Sequence, residues 1–146
     1  MGGEMYKSVL VATDGSATAS EAVRVATELA RTLGATLHIA SVYGSVDTSA
    51  LAWSGISVKV DGDEPGEAAS HAEAMAADAR AKGVTAKTHV MPGFVVDQVL
   101  AIAIEQDIDL IVVGNKGMRG LKRVLGSVPN AIAHSAPCAV LVANTT

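Results

Sequence analysis

The sequence predicts an α/β fold with an open, parallel, five-stranded sheet that carries helices on both faces. Segments typical of strands and of helices alternate along the chain, and the last segment is a strand. The strand segments are short apolar runs, as in residues 9–12 and 110–113, which is typical of strands buried on both faces. Such alternation favours parallel strands joined by right-handed helical crossovers.

The first predicted strand covers residues 9–12 and is closed by a polar turn. A helix is predicted over residues 17–33 because apolar residues recur there at helical spacing, with Thr18 and Glu21 placed as a capping box and Gly34 as the stop. The remaining elements are a strand over 36–42, a helix over 63–82, a strand over 84–90, a helix over 95–106, a strand over 108–113, a helix capped by Ser127 and a strand over 139–142.

One long connection, residues 44–62, lacks a sustained period and is rich in Ser, Gly and Asp. Structureless connections longer than about 12 to 15 residues are uncommon in compact domains. We therefore interpret this segment as a mobile loop or as a lid over a site, with Trp53 as its anchor.

Length and composition favour one domain over residues 1–146, since 49% of the residues are apolar and can form a packed core. The net charge of −4 and the four aromatic residues (one Trp, two Tyr, one Phe) argue against nucleic acid as a partner. No apolar stretch of about 18 residues predicts a membrane span, and residues 1–7 lack the order of a secretion signal. The expected location is cytoplasmic. The single Cys138 fits a reducing compartment and reads as a small buried hydrophobe.

The segment over residues 114–127 has the composition of an anion-binding loop. It contains four glycines, which allow close backbone approach, and four of the eleven basic side chains fall within eight positions, 116–123. It follows the fourth strand and precedes a helix, whose N-terminus attracts phosphate. If the first and fourth strands are neighbours where the strand order reverses, Asp14 and this loop face one crevice.

Gly114, Gly117, Gly126 and Ser127 match G-x2-G-x9-G-[ST], except that eight residues rather than nine separate the second and third glycines. On these residues, together with the Asp14-Gly15-Ser16 turn and Pro92-Gly93 after the third strand, the sequence resembles the nucleotide-binding universal stress proteins over essentially its whole length. The resemblance implies a Rossmann-like sheet of the adenine nucleotide alpha hydrolase type. It further implies a bound adenine nucleotide, ATP first, with AMP or cyclic AMP as alternatives, and a homodimer formed through the last strand.

Carried over position by position, the resemblance places base and ribose at Ala12, Thr13 and Asp14, with Val42 contacting adenine through its backbone. The resemblance assigns the phosphates to the glycine-rich loop and to the start of the last helix. Met91 lies in the predicted turn after the third strand. The complete candidate binding set is Ala12, Thr13, Asp14, Val42, Met91, Gly114, Asn115, Lys116, Gly117, Arg119, Gly126, Ser127 and Val128.

No catalytic residue is predicted, because the glycine loop offers no carboxylate or His to act as a general base. At most, slow ATP hydrolysis is expected. The four histidines are scattered along the sequence, so no structural metal is expected, and Mg²⁺ would arrive with the nucleotide phosphates. The protein would then act in stress response through a nucleotide-dependent dimer.

Other functions of the same architecture fit less well. An ATP pyrophosphatase or ligase needs a phosphate loop after the first strand, where Asp14 would repel phosphate. A phosphorylated receiver needs Asp at the end of the third strand, which holds His89-Val90-Met91, and no Gly-Lys-[Ser/Thr] phosphate loop occurs. A cyclic AMP-binding protein, and a dimerisation module whose shortened loop holds no ligand, both remain open.

Overall fold

The computed structural model describes residues 5–13, 17–43, 65–115 and 127–144. The elements are β1 (Ser8–Ala12), α1 (Ala17–Leu33), β2 (Thr36–Tyr43), α2 (Pro65–Ala81), β3 (Ala86–Pro92), α3 (Val95–Glu105), β4 (Leu110–Gly114), α4 (Ser127–Ser135) and β5 (Ala139–Ala143). The predicted alternation is confirmed. The long connection over residues 44–62, with Trp53, lies outside the described residues.

The five strands form one parallel sheet in the order β3-β2-β1-β4-β5. The chain starts at the centre with β1, moves outward through β2 to β3, and then crosses over to β4 on the other side of β1. Strand order therefore reverses between β1 and β4, where a crevice opens beyond the carboxyl ends of the strands. The predicted adjacency of these two strands is confirmed.

Alternate residues of each strand face opposite layers of helices, because strand side chains have a period of two. One layer contains α1 and α2 packed on strand residues such as Val9, Val11 and Ile39. The other contains α3 and α4 packed on residues such as Leu10 and Ile111. The apolar runs of the sequence thus become strands that are covered on both faces.

The helix α2 approaches the sheet through small side chains. Ala72, Ala76 and Ala79 are each 0% exposed, and all three belong to the first layer. Its opposite face carries exposed ion pairs. The Arg80 Nη1 lies 2.6 Å from the Glu73 Oε1, and the Nζ of Lys82, just after the helix, lies 3.2 Å from the Asp78 Oδ2. These charges form a solvated face of the helix.

Helix ends account for strands that begin later than predicted. After α2, Gly83 adopts φ +84° and the Val84 N–H donates to the Ala79 carbonyl at 3.1 Å, which closes the helix in a Schellman motif. The N–H of Val84 is therefore used by this turn, and β3 starts at Ala86 rather than at residue 84. The same geometry follows α3, where the Ile108 N–H donates to the Ala103 carbonyl at 3.0 Å.

The capping box predicted for α1 is wrong. The helix begins at Ala17, so Thr18 lies inside its first turn rather than before it. The Glu21 carboxylate accepts hydrogen bonds from the Arg24 guanidinium, the shortest at 2.6 Å, and is therefore engaged away from the helix start. This ion pair lowers the pKa of Glu21. The stop at Gly34 is confirmed, with φ +68°.

Two histidines that are far apart in sequence meet on the sheet. The Nδ1 of His38 on β2 lies 2.9 Å from the Nε2 of His89 on β3, with ring centroids 5.2 Å apart and planes inclined by 17°. The rings thus join end to end through one N–H···N hydrogen bond. Spacing along the chain gave no sign of this pair, because strand pairing joins residues that are far apart in sequence.

Burial opposes a positive charge on this histidine pair. It lowers the pKa of His38 from 6.5 to about 4, and His89 and Lys87 add electrostatic repulsion. Burial also lowers the pKa of His89, where Glu105 acts in the opposite direction and Lys87 in the same direction. The folded chain therefore holds both rings neutral at pH values where an unfolded chain would bind protons.

We predict that stability falls as the pH falls from about 6.5 towards 4. The unfolded histidines bind protons in this window and the folded pair does not, so the free energy of unfolding drops by up to about 1.4 kcal/mol per pH unit for each proton. His38→Asn keeps a polar atom near the Nδ1 position but cannot titrate. The free energy of unfolding of this variant should therefore change less steeply with pH. The measurement is urea denaturation across this pH range. His134→Asn, at an exposed position on α4, should keep the original slope; equal slopes for all three chains would contradict the prediction.

We also predict that Gly93→Ala destabilises the fold by about 1–3 kcal/mol, because Gly93 adopts φ +123°, where a Cβ is strained. An added Cβ would also lie 2.9 Å from the Gln98 Nε2. Gly66→Ala in α2 is the matched control. A Cβ there meets nothing within 4 Å, so the change should be neutral or stabilise by up to about 1 kcal/mol. Denaturant unfolding measures both, and effects of the same sign would refute the argument.

Candidate functional site

The crevice between β1 and β4 is bounded by the residues that leave the two strands. Val11 and Val112 form the last pair between them, so Thr13 and Gly114 each lie two residues beyond that pair. Thr13 is 4% exposed, and its N–H donates to the Ala40 carbonyl of β2 at 2.8 Å. Ala12, which is half-buried, precedes it at the end of β1. These positions place backbone groups from two strands on the two sides of one opening.

The neighbouring strands continue the same edge. Val42 on β2 and Met91 on β3 are register partners, and both are half-buried. Just beyond them, the Gly93 N–H donates to the Tyr43 carbonyl at 3.1 Å. The sheet therefore aligns Met91, Val42, Ala12 and Gly114 along the carboxyl edge of four adjacent strands. The apolar side chains of Met91, Val42 and Ala12 suit a flat heteroaromatic group better than a charged one.

Asn115 begins the segment that leaves β4, and its side chain is 3% exposed. Its Nδ2 donates to the Asn144 Oδ1 at 3.1 Å, just beyond the end of β5. Gly114 and Ala143 are the last register partners of β4 and β5, so the two asparagines continue that pairing through their side chains. The start of the glycine segment is thus held against the last strand.

The helix α4 begins at Ser127 and includes Val128, which is 38% exposed. Because a parallel crossover returns from the carboxyl edge of the sheet, the N-terminus of α4 lies at the same edge as the crevice. Unpaired N–H groups there carry about half a positive charge and favour an anion. The remaining predicted binding residues, Asp14, Lys116, Gly117, Arg119 and Gly126, lie outside the described residues.

Other chemically interesting positions lie away from this edge. A shallow cavity of about 320 Å³ near Pro137 lies at the amino edge, and the Asp109 carboxylate beside it accepts hydrogen bonds from the N–H groups of Lys7 at 2.7 Å and Ser8 at 3.1 Å. The half-buried Cys138 packs on the second layer. Burial raises the pKa of its thiol, and the negative charge of Asp109 raises this pKa further. A thiol with a raised pKa forms little nucleophilic thiolate.

Within residues 5–13, 17–43, 65–115 and 127–144, no three or more His, Cys, Asp or Glu side chains cluster as metal ligands. The same ranges contain no helix with the length and apolar character needed to span a bilayer. Among the described residues, the histidine pair of β2 and β3 is a close association of titratable rings that the sequence pattern missed. Only the strand register could have shown it.

Comparison with known proteins identifies the family. The family model described as "Universal stress protein family" matches residues 5–144. Universal stress protein Rv1636 of Mycobacterium tuberculosis is 38% identical over 146 residues, covering 97% of this chain and 98% of the relative. Universal stress protein A homolog 1 of Coxiella burnetii is 34% identical over 139 residues, covering 93% and 94%.

The fold has a counterpart among solved structures. A universal stress protein crystallised in complex with cAMP superposes with a TM-score of 0.71 at 29% identity, covering 97% of this chain and 98% of the other. The family model, which matches residues 5–144, includes every described strand and helix and both sides of the crevice between β1 and β4. On sequence and fold together, the chain belongs to the universal stress protein family.

Proposed function

We propose that this universal stress protein binds an adenine nucleotide in the crevice between β1 and β4, with ATP as the leading ligand. The observation that carries the proposal is the reversal of strand order between these strands, which sets Thr13 and Gly114 at the same level on opposite sides of one opening. In open α/β sheets this is where ligands bind. The structural relative at 29% identity that was crystallised with cAMP supports an adenine nucleotide.

The described residues divide the site by chemistry. The half-buried Val42 and Met91 offer an apolar surface for the adenine ring, and Ala12 and Thr13 lie next to them towards the ribose. Asp14, the next residue in the chain, is assigned to the ribose hydroxyls. The phosphates are assigned to the positive end of α4 at Ser127 and Val128 and to the preceding glycine-rich residues. Mg²⁺ would enter with the phosphates.

Cyclic AMP is the second candidate ligand, and two observations favour it. The related complex holds cAMP, and the glycine segment is one residue shorter between its second and third glycines than G-x2-G-x9-G. A single phosphate needs fewer donors than a triphosphate. Turnover is not part of the proposal beyond slow ATP hydrolysis, since none of the described residues assigned to the site is a carboxylate or a His that could act as a base.

We further propose that the protein is a cytoplasmic homodimer that pairs through β5 and serves in stress response. The exposed fractions of Leu141 and Val142 on this edge strand are 37% and 41%, and that of Val128 on α4 is 38%. An exposed apolar edge strand invites pairing with another chain. A dimer would cover these side chains and complete the hydrogen bonding of the edge. A dimerisation module without a ligand is the alternative that keeps this surface and drops the nucleotide.

Calorimetric titration of nucleotide-stripped protein with ATP and Mg²⁺, AMP and cyclic AMP tests the ligand. We expect a Kd on the order of micromolar for one of them, and a loss of at least about tenfold in Gly117→Val, because a motif glycine allows backbone approach to phosphate. Gly120→Val, a non-motif glycine of the same segment, should bind much more nearly as the unsubstituted chain does. Unchanged binding by Gly117→Val would refute the phosphate assignment, and no binding of any nucleotide would favour the dimerisation module.

Sedimentation analysis of Leu141→Lys tests the dimer. The buried charge at a pairing edge should shift the protein from dimer to monomer, because an uncompensated ammonium in an apolar interface is costly. Phe94→Lys is the matched control, since Phe94 is 58% exposed and follows β3, the outer strand on the opposite side of the sheet from β5. It should leave the mass unchanged. A dimer that persists in Leu141→Lys, or that is lost equally in both variants, would place the interface elsewhere.

A further inference from the structure

The hydrogen bond between Asn115 and Asn144 joins two regions to which functions are proposed. One is the start of the phosphate-binding segment after β4, and the other is the end of the dimerisation strand β5. Asn115 is the first residue after β4, and Asn144 is the first residue after β5. The Asn115 Nδ2 donates to the Asn144 Oδ1 at 3.1 Å across 29 residues of sequence. Asn115 is 3% exposed, whereas Asn144 is exposed. A buried amide at this position needs partners, and Asn144 supplies one of them.

The location of this bond decides what it can do. The register pairing of β4 with β5 ends at Gly114 and Ala143, and one residue further along the Asn115 and Asn144 side chains continue the connection between the two strands. The chain leaves β4 at that point towards the glycine-rich segment assigned to phosphate. The hydrogen bond to Asn144 therefore restrains the side chain of the last described residue before that segment.

The other end of the bond belongs to the exposed edge. Asn144 follows Val142 by two residues, and Val142 is 41% exposed on the strand proposed for pairing. Asn144 thus follows the strand proposed for dimerisation and contacts Asn115, the residue that begins the proposed phosphate segment. A shift of β5 at the edge would reach the Asn115 side chain through this hydrogen bond.

We propose that Asn144 is a positioning residue for the nucleotide site, and that through Asn115 it links the β5 edge to the start of the phosphate segment. The inference rests on the proposed nucleotide-binding function. Asn144 need not touch the ligand. It orders the Asn115 side chain before the ligand arrives, so the entropy of ordering that segment is not lost on binding. Linkage is reciprocal, so nucleotide bound beside Asn115 also favours one position of β5.

Nucleotide titration of Asn144→Leu tests this inference. Loss of one neutral hydrogen bond that orders the site should weaken binding about five- to tenfold. Asn144→Asp retains an oxygen that can accept from Asn115. In about 1 M salt, where the Debye length is about 3 Å and the added charge is screened, it should bind within about twofold of the unsubstituted chain. Gln106→Leu, an exposed amide at the amino edge after α3, is the control for the amide-to-leucine change and should bind normally.

Denaturant unfolding of each variant without ligand separates positioning from folding. The expected result is weaker binding by an Asn144→Leu chain that remains folded, and Asn144→Ala replaces that variant if it unfolds. Normal binding by Asn144→Leu, or an Asn144→Asp chain as weak as Asn144→Leu, would overturn the inference alone. Failure of the unsubstituted chain to bind any adenine nucleotide would overturn the proposed function and this inference together.

Discussion

The parallel pairing of β1 with β2 on one side and β4 on the other is the constraint on which the rest of the molecule depends. Val9, Leu10 and Val11 are at most 1% exposed, so water cannot satisfy the backbone groups of this strand, and neighbouring strands must do so on both sides. Because crossovers are right-handed, helices cover both faces of the sheet only if the chain adds strands on one side of β1 and then on the other. The crevice at the carboxyl edge is the geometric result of that reversal.

The two outer strands of the sheet differ in how they meet solvent. At β3, Arg80 Nη2 donates to the Ala86 carbonyl at 2.9 Å, and the exposed Lys87 adds charge along the strand. Both features discourage pairing with another chain. At β5, exposed positions carry Leu141 and Val142 instead. The asymmetry leaves β5 as the outer strand suited to self-association, and Asn144 at the end of this strand accepts a hydrogen bond from Asn115 at the end of β4.

Local patterns predicted the elements well where one short-range signal acted alone. The bounds of α1 follow from apolar spacing and from Gly34, since glycine tolerates the positive φ that ends a helix. Predictions failed where two local signals competed. Val84 has the composition of a strand, but its N–H closes the helix before it, and Glu21 has the spacing of a capping residue but pairs with Arg24. Binding residues were predicted from a motif, and the described ones share the carboxyl edge.

The sequence by itself determined the succession of strands and helices along the chain, the burial of the strands on both faces and the presence of the glycine-rich motif after β4. Each of these depends on residues within about one element of each other, where periodicity and backbone preference are sufficient. Tertiary structure alone decided that Thr13 lies opposite Gly114, that His38 meets His89 and that Asn115 bonds to Asn144. These contacts follow from strand order and register, which are fixed by the burial of the whole sheet between two layers of helices and not by any local segment.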